Sequence, residues 1–240
     1  MKILIIRHAD PDYENDSLTE KGLKEAHLLT QRLLEENPSA VYCSPLGRAK
    51  KTAEEYLALT GIKSKTFFWL KEFYTPVKLP DGSKGIPWDL YPAFVNKTPE
   101  LLNQEQWTET RIMKSGFVGH KYSKIVKEFD KLLKSHGYER DGLYYKVKKA
   151  NTDTIMLFCH FGVECVILSH LINVSPVALW QGFCAAPSSV TTIYTEEREK
   201  GYAHFRCASF GDISHLYKFG EEPAFAARFC EIYDDMTQRH

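Results

Sequence analysis

Four basic side chains follow short apolar runs that are typical of buried β-strands: Arg7, His8, Arg48 and His160. The runs cover residues 3–6, 40–43 and 154–159 and are almost wholly apolar. In open α/β sheets, ligands bind beyond the carboxyl ends of the strands. We therefore expect two guanidinium groups and two imidazoles to meet in one crevice.

A phosphoryl group is the ligand that such a set of side chains fits. Guanidinium groups form bidentate, charge-assisted hydrogen bonds to phosphate oxygens. A neutral imidazole can attack phosphorus, and Arg7 beside His8 disfavours protonation of that ring. Since His160 stands where a helix should begin, the backbone N–H groups of Phe161 and Gly162 would also point at the anion. The residue types predict phosphoryl transfer with a histidine nucleophile.

A leaving alkoxide needs a proton, and Glu72 is the first candidate to supply it. It follows the apolar run 66–70, which we interpret as a third strand, so its carboxyl group would lie near the same crevice. An ordinary surface carboxylate is the alternative interpretation of Glu72.

The surrounding pattern alternates strands with helices. Helices are expected from residue 19 to the Asn37-Pro38 pair, over 46–59 with Ser44 as N-cap, over 117–136 and over 163–171. This alternation predicts an α/β three-layer sandwich, in which helices cover both faces of a largely parallel sheet. A hairpin at the sheet edge is expected from 190–195 and 202–207, and a terminal helix over 223–236.

Residues 73–116 break this pattern. Prolines punctuate the segment, while Trp88 and Trp107 keep it apolar, so we interpret it as an inserted cap within one domain that covers residues 1–240. A cap above a sheet crevice can shape a pocket, and nearby lysines could contact a second anionic group of a substrate. Those lysines are Lys71, Lys78 and Lys84.

Composition excludes several classes of protein. The 240 residues carry 31 Lys and Arg against 31 Asp and Glu, without a basic block, so nucleic acid is not expected as a partner. No run has the ~18 apolar residues of a membrane span, and the apolar start is too short for a signal peptide, which predicts a cytoplasmic protein. The 6 cysteines are scattered and expected to be reduced. No cofactor is expected, and the oligomeric state is left open.

The sequence resembles the histidine phosphatase superfamily, branch 1, also called phosphoglycerate-mutase-like. The resemblance rests on LIIRHADP at 4–11, LTEKG at 18–22, SPLGRAKKTA at 44–53 and FCHFGV at 158–163. It implies a phosphohistidine mechanism without a metal, with His8 as nucleophile and with Arg7, Arg48 and His160 holding the phosphoryl group. An acidic residue after the third strand would be the proton donor: Glu72 matches that placement best, and Asp10 or Asp89 could substitute.

Three departures from the family pattern bear on the activity. Ala9 follows the nucleophile where many relatives have Gly, Tyr13-Glu14 stand where a Trp-Asn pair is common, and Phe161-Gly162 replace a frequent Gly pair. The Asn that helps hold phosphate in mutases is therefore absent. We predict a phosphomonoesterase for a small phosphorylated metabolite. The alternatives are a mutase, a sugar-bisphosphatase or a catalytically silent phosphate-binding protein; a metal site built from His8 and His160 is disfavoured because no carboxylate or thiolate stands at ligand spacing.

Overall fold

The computed structural model of the protein describes residues 1–224 and Asp234. Its strands are β1 Lys2–Arg7, β2 Pro11–Asp12, β3 Ser17–Leu18, β4 Ala40–Cys43, β5 Ser64–Thr66, β6 Val77–Lys78, β7 Lys84–Gly85, β8 Tyr138–Asp141, β9 Tyr144–Val147, β10 Thr154–Cys159, β11 Val190–Glu199 and β12 Tyr202–Asp212. Its α-helices are α1 Glu20–Leu33, α2 Gly47–Thr60, α3 Pro92–Asn96, α4 Arg111–Ser115, α5 Val118–Ser135, α6 Phe161–Ile172, α7 Pro176–Gly182 and α8 Ser214–Lys218. Short 3₁₀ helices cover Phe68–Leu70, Pro99–Leu102 and Trp107–Glu109.

Eight strands form the central sheet, in the order β5-β4-β10-β1-β11-β12-β9-β8. The first four strands in that order run parallel to one another, and the remaining pairs are antiparallel. In the parallel half, Arg7 pairs with Cys159 and Phe158 pairs with Cys43. The carboxyl ends of β1, β10 and β4 therefore lie at one level of the sheet.

Helices cover both faces of this sheet, as predicted, because the central strands are apolar on both sides. On β1, Ile3 and Ile5 pack with Phe129 of α5 and Val166 of α6. Leu4 and Ile6 point to the opposite face and pack with Leu29 of α1 and Tyr56 of α2. Successive side chains of a strand alternate between faces, so one short apolar run serves two cores.

Several predicted elements differ in extent or position. The third strand is Ser64–Thr66, and the Phe68–Leu70 part of the apolar run is a 3₁₀ helix. Ser44 is not the N-cap of α2, since the helix begins after Leu46, whose N–H donates to the Ser44 hydroxyl at 3.3 Å. The pair β11–β12 is a hairpin but not the sheet edge: β11 also pairs with β1, and the outer strand is β8. The expected terminal helix over 223–236 lies outside the described residues apart from 223, 224 and 234.

The segment 73–116 contains the β6–β7 hairpin, α3, α4 and two of the 3₁₀ helices. Its apolar side chains join the core cluster of α5 and α6, with Phe73, Leu101, Trp107 and Met113 almost completely buried. The cap is thus built on the same core as the sheet. Across the part of the chain that the structure describes, none of the helices has the length and apolar character needed to cross a membrane.

Candidate active site

The four basic side chains named by the sequence come together at the carboxyl end of the parallel half of the sheet. Arg7 ends β1, His8 follows it, His160 follows β10, and Arg48 lies in the first turn of α2. Arg7, His8 and His160 are buried, with exposed fractions of 5%, 2% and 0%. The two imidazole rings lie 5.1 Å apart between centroids and are tilted by 56°.

The His8 ring is held in one tautomer by the backbone of the next residue. Its Nδ1 lies 2.8 Å from the Ala9 carbonyl oxygen, which can only accept a hydrogen bond, so Nδ1 carries the proton. Burial lowers the pKa of His8 well below its ordinary value, and the positive charges of Arg7 and Arg48 and the His160 ring lower it further. His8 is therefore neutral at physiological pH, and Nε2 keeps its lone pair.

The His160 ring is oriented by Ser44. Nε2 of His160 lies 2.8 Å from the Ser44 hydroxyl oxygen, which also accepts the Leu46 N–H. The Ser44 hydroxyl can donate its proton to Nε2, and in that arrangement the ring proton is on Nδ1. Burial, followed by the charges of Arg48 and Arg7, lowers the pKa of His160 well below its ordinary value. The result is a neutral ring whose buried Nδ1–H has no partner among the described residues.

Arg7 and Arg48 are each fixed by a contact outside the crevice. A terminal nitrogen of Arg7 donates to the Ala185 carbonyl. Arg48 donates from Nη1 to Asp16 Oδ1 at 2.8 Å, and the Tyr13 ring centroid lies 5.4 Å from its guanidinium carbon. The Nε of Arg48 is buried without a partner in the described part of the chain. Buried donors of this kind call for an acceptor, and an oxyanion between Arg48 and His160 would supply one.

Glu72 lies beside the N-terminus of α6, the helix that begins directly after His160. Its Oε1 accepts hydrogen bonds from the N–H groups of Phe73 at 2.6 Å and Val163 at 3.2 Å, and its Oε2 accepts from Gly162 N–H at 3.3 Å. The expectation that the Gly162 N–H would face the anion is therefore wrong, because Glu72 occupies it. Phe161, at the start of α6, is half-buried.

Space beside Glu72 is tightly limited by the cap. A Cβ atom built on Gly162 would lie 2.5 Å from Glu72 Oε1 and 3.1 Å from Trp88 Cδ1. Trp88 is itself anchored, since its Nε1 donates to the Phe73 carbonyl at 2.8 Å. Only glycine at position 162 allows the carboxylate and the indole to sit where they do.

The other candidate acids are engaged elsewhere or exposed. The Asp10 carboxylate accepts the Thr19 hydroxyl proton at 2.7 Å, at the start of α1, and Asp89 is exposed on the cap. Lys78 and Lys84 pair across the exposed β6–β7 hairpin, and Lys71 is exposed beside Phe68.

Two site residues were missed by the sequence interpretation. Asp16, described above, contacts Arg48 from a polar loop. Ser188 donates its N–H to the His8 carbonyl at 3.0 Å, and its hydroxyl lies 3.2 Å from His215 Nε2. Neither residue stands in a pattern that could have marked it, because both act through backbone conformations with positive φ, +46° for Asp16 and +61° for Ser188.

Comparisons with known proteins find similarity to phosphatases. A family model described as the histidine phosphatase superfamily (branch 1) matches residues 3–75. The chain is 24% identical over 234 residues to a probable phosphatase of Schizosaccharomyces pombe, which covers 90% of this chain and 95% of that protein.

Solved structures show the same fold. A phosphoserine phosphatase of Entamoeba histolytica in complex with 3-phosphoglyceric acid matches with a TM-score of 0.59 and 20% identity, over 90% of this chain and 98% of that chain. A putative alpha-ribazole-5'-P phosphatase of Escherichia coli matches with a TM-score of 0.56 and 20% identity, over 89% and 98% of the two chains. The predicted α/β sandwich and the family resemblance are confirmed.

Proposed function

We propose that this chain is a member of branch 1 of the histidine phosphatase superfamily, and that it hydrolyses small phosphorylated compounds through a covalent phosphohistidine on His8. One observation carries the proposal. Two neutral, buried imidazoles lie 5.1 Å apart beside two arginines, and two buried donors of that group, Arg48 Nε and His160 Nδ1, lack an acceptor among the described residues. A phosphoryl dianion supplies the missing acceptor oxygens and the opposite charge.

In the first step, His8 Nε2 attacks phosphorus while the ester P–O bond breaks. The imidazole becomes cationic as the P–N bond forms, and the Nδ1–H bond to the Ala9 carbonyl stabilises that charge. Arg7, Arg48 and His160 Nδ1–H donate to the oxygens whose charge is redistributed in the transition state. Glu72, in its protonated form, gives its proton to the leaving oxygen.

In the second step, water attacks the phosphorus of phosphohistidine. Glu72, now a carboxylate, takes a proton from that water as the P–N bond breaks, and His8 returns to its neutral form. Phosphate is then released, and Glu72 is again protonated for the next turnover. The positive charge that Mg²⁺ supplies in many phosphoryl-transfer enzymes would come here from the two arginines, so the proposed reaction uses no metal ion.

The cap lies where the leaving group of the substrate would bind. Trp88 and the segment 73–116 around it lie on the Glu72 side of the site, where the leaving group must sit. We therefore assign the choice of substrate to the cap, and the chemistry of the phosphoryl group to the ends of β1, β10 and the start of α2.

The proposal is tested by trapping the intermediate on the intact protein. Brief exposure to a phosphate-labelled aryl phosphate, followed by alkaline denaturation, should leave acid-labile phosphate on the wild type and none on His8→Ala. Turnover by His8→Ala should fall at least ~10³-fold, because the nucleophile is lost. His27→Ala removes an exposed histidine of α1 and serves as the matched control.

Two outcomes contradict the proposal. Wild-type turnover by His8→Ala would remove His8 from the reaction. Saturable phosphate binding by the wild type with neither product nor labelled protein would assign the site to a catalytically silent binding protein.

A further inference from the structure

The Arg48 guanidinium is held by a segment that the mechanism does not otherwise use. Residues 10–18 form a short hairpin through β2 and β3, and its tip carries Asp16 against the start of α2. Asp16 Oδ1 accepts from Arg48 Nη1 at 2.8 Å, while Oδ2 accepts from the Gly47 N–H at 2.6 Å. One carboxylate therefore binds both the helix backbone and the side chain that follows it.

Local sequence explains why this contact comes from outside the helix. Leu46, the N-cap residue of α2, has no side chain that could accept a hydrogen bond. Asp16 takes over that role from 31 residues away along the chain. The approach is close: a Cβ on Gly47 would overlap the Asp16 carbonyl oxygen, and Asp16 itself adopts a left-handed φ of +46°. Such a conformation persists only where its surroundings enforce it.

The atoms that Asp16 leaves unused define how Arg48 can bind a phosphoryl group. In a guanidinium, Nε–H and one N–H of Nη2 lie parallel on the edge that faces away from Nη1. Asp16 holds Nη1, the Tyr13 ring lies near the guanidinium at 5.4 Å, and Nε is buried without a partner in the described chain. The Nε–Nη2 edge of Arg48 is therefore left open for a ligand, while Asp16 holds the guanidinium from the opposite side.

We infer that Asp16 is a positioning residue of the phosphoryl site, which holds Arg48 so that its Nε–Nη2 edge donates two parallel hydrogen bonds to the transferring phosphoryl oxygens. The inference rests on the proposed function, because it needs Arg48 to bind that group. It assigns to Asp16 a role that involves no contact with substrate.

Asp16 is ionised at neutral pH, as this role requires. Burial alone would raise its pKa, but the Gly47 N–H and the positive charge of Arg48 outweigh burial and lower the pKa below the ordinary value. Its side chain is 45% exposed, so water screens the charge and the ion pair alone adds little to stability. The main effect of the contact is on geometry.

The test is a double-mutant cycle on kcat for an aryl phosphate, with the variants Asp16→Asn, Arg48→Ala and their combination. Asn can still accept the Gly47 N–H but loses the charge that pairs with Arg48. We expect Asp16→Asn to lower kcat about tenfold with little change in KM, and to change kcat less than about twofold when Arg48 is already Ala, as for coupled neighbours. Asp16→Ser, which can also accept from Gly47, should behave like Asp16→Asn.

Asp12→Asn is the matched control. Asp12 lies in the same hairpin and its carboxylate accepts from Glu14, Asn15 N–H and the Asn15 side chain, without contacting Arg48. A kcat within about twofold of wild type is expected for it.

Three results would overturn the inference. The first two are an unchanged kcat in Asp16→Asn, and losses from Asp16→Asn and Arg48→Ala that simply multiply. Equal losses of kcat in Asp12→Asn and Asp16→Asn would likewise contradict it, because they would show that the loss comes from a less stable hairpin. If Arg48→Ala itself leaves kcat unchanged, it is the proposed function that fails.

Discussion

The two sides of the candidate site are held in different ways. On the phosphoryl side, His8 and His160 stand at the ends of adjacent parallel strands, and Ala9, Ser44 and Asp16 fix the donors around them. On the leaving-group side, Glu72 follows a short 3₁₀ helix and is held by three backbone N–H groups beside Trp88 of the cap. One side is built into the sheet, whereas the other depends on how an insertion packs. Substitutions on the two sides should therefore have separable effects on catalysis.

Glu72→Gln should separate them most clearly. Without a proton donor, kcat for an alkyl phosphate should fall about 10³-fold, whereas an aryl phosphate, whose leaving group needs little protonation, should lose less than about tenfold. Arg48→Ala, on the phosphoryl side, should slow both substrates alike by ~10²-fold. The measurement is kcat for a series of phosphates that differ in leaving-group pKa.

The alternative donors provide the controls for this prediction. Asp89→Asn and Asp10→Asn should keep the wild-type dependence on leaving-group pKa, since Asp89 is exposed and Asp10 is bound to Thr19. If kcat depended steeply on the leaving-group pKa in one of these two variants, and not in Glu72→Gln, the residue replaced in that variant would be the proton donor.

A smaller effect on the same side is expected from Gly162→Ala. The new methyl group would lie 2.5 Å from Glu72 Oε1, so the carboxylate must move away from the N-terminus of α6. We expect about a tenfold loss of kcat on alkyl phosphates and little change on aryl phosphates. A loss of stability is also expected, because the displaced carboxylate gives up hydrogen bonds from backbone N–H groups, and the preference of Ala over Gly within a helix, about 1 kcal/mol, offsets only part of it.

Gly182→Ala is the comparison for this variant, since a Cβ at Gly182 meets no atom within 4 Å. A loss on both kinds of substrate in Gly162→Ala would indicate that the whole site had shifted, and would argue against separate sides.

Most residues of the phosphoryl side could be predicted from the sequence, for a physical reason. Short apolar runs such as 3–6 and 154–159 are typical of strands that are buried on both faces of a sheet, and parallel strands bring their carboxyl ends to one edge. The observed register of Arg7 with Cys159 follows that rule. The residues after each run are therefore neighbours, although about 150 positions separate His8 from His160 in the chain.

The rest depended on contacts that local patterns do not encode. Asp16 reaches α2 only because its own backbone turns into the left-handed region, and the 3₁₀ helix before Glu72 replaces the second part of a predicted strand. The β11–β12 hairpin alternates like an edge strand pair, yet β8 and β9 extend the sheet beyond it. Alternation records which face is buried and carries no information on which strand pairs next.

The last prediction concerns the free energy of unfolding instead of catalysis, and it again distinguishes the two sides. Burial, with the charge of Arg32, lowers the pKa of His215 to about 4, and this ring lies behind the phosphoryl side against Ser188. The unfolded chain protonates a histidine near pH 6.5, so it binds more protons than the folded chain between pH 6.5 and 4. The free energy of unfolding should therefore fall as the pH falls through that window, by up to about 3 kcal/mol from His215.

His215→Gln should flatten this part of the curve, as measured by urea denaturation at pH 7, 6, 5 and 4.5. Glu25 and Glu164 act in the opposite direction: burial raises the pKa of each to about 7, so their contribution is lost as the pH rises from the ordinary carboxyl value. Both carboxyls are present in wild type and variant and cancel in the difference. His120→Gln, at an exposed position on α5, should retain the wild-type curve. Parallel curves for wild type and His215→Gln would show that this imidazole is not held neutral behind the phosphoryl side.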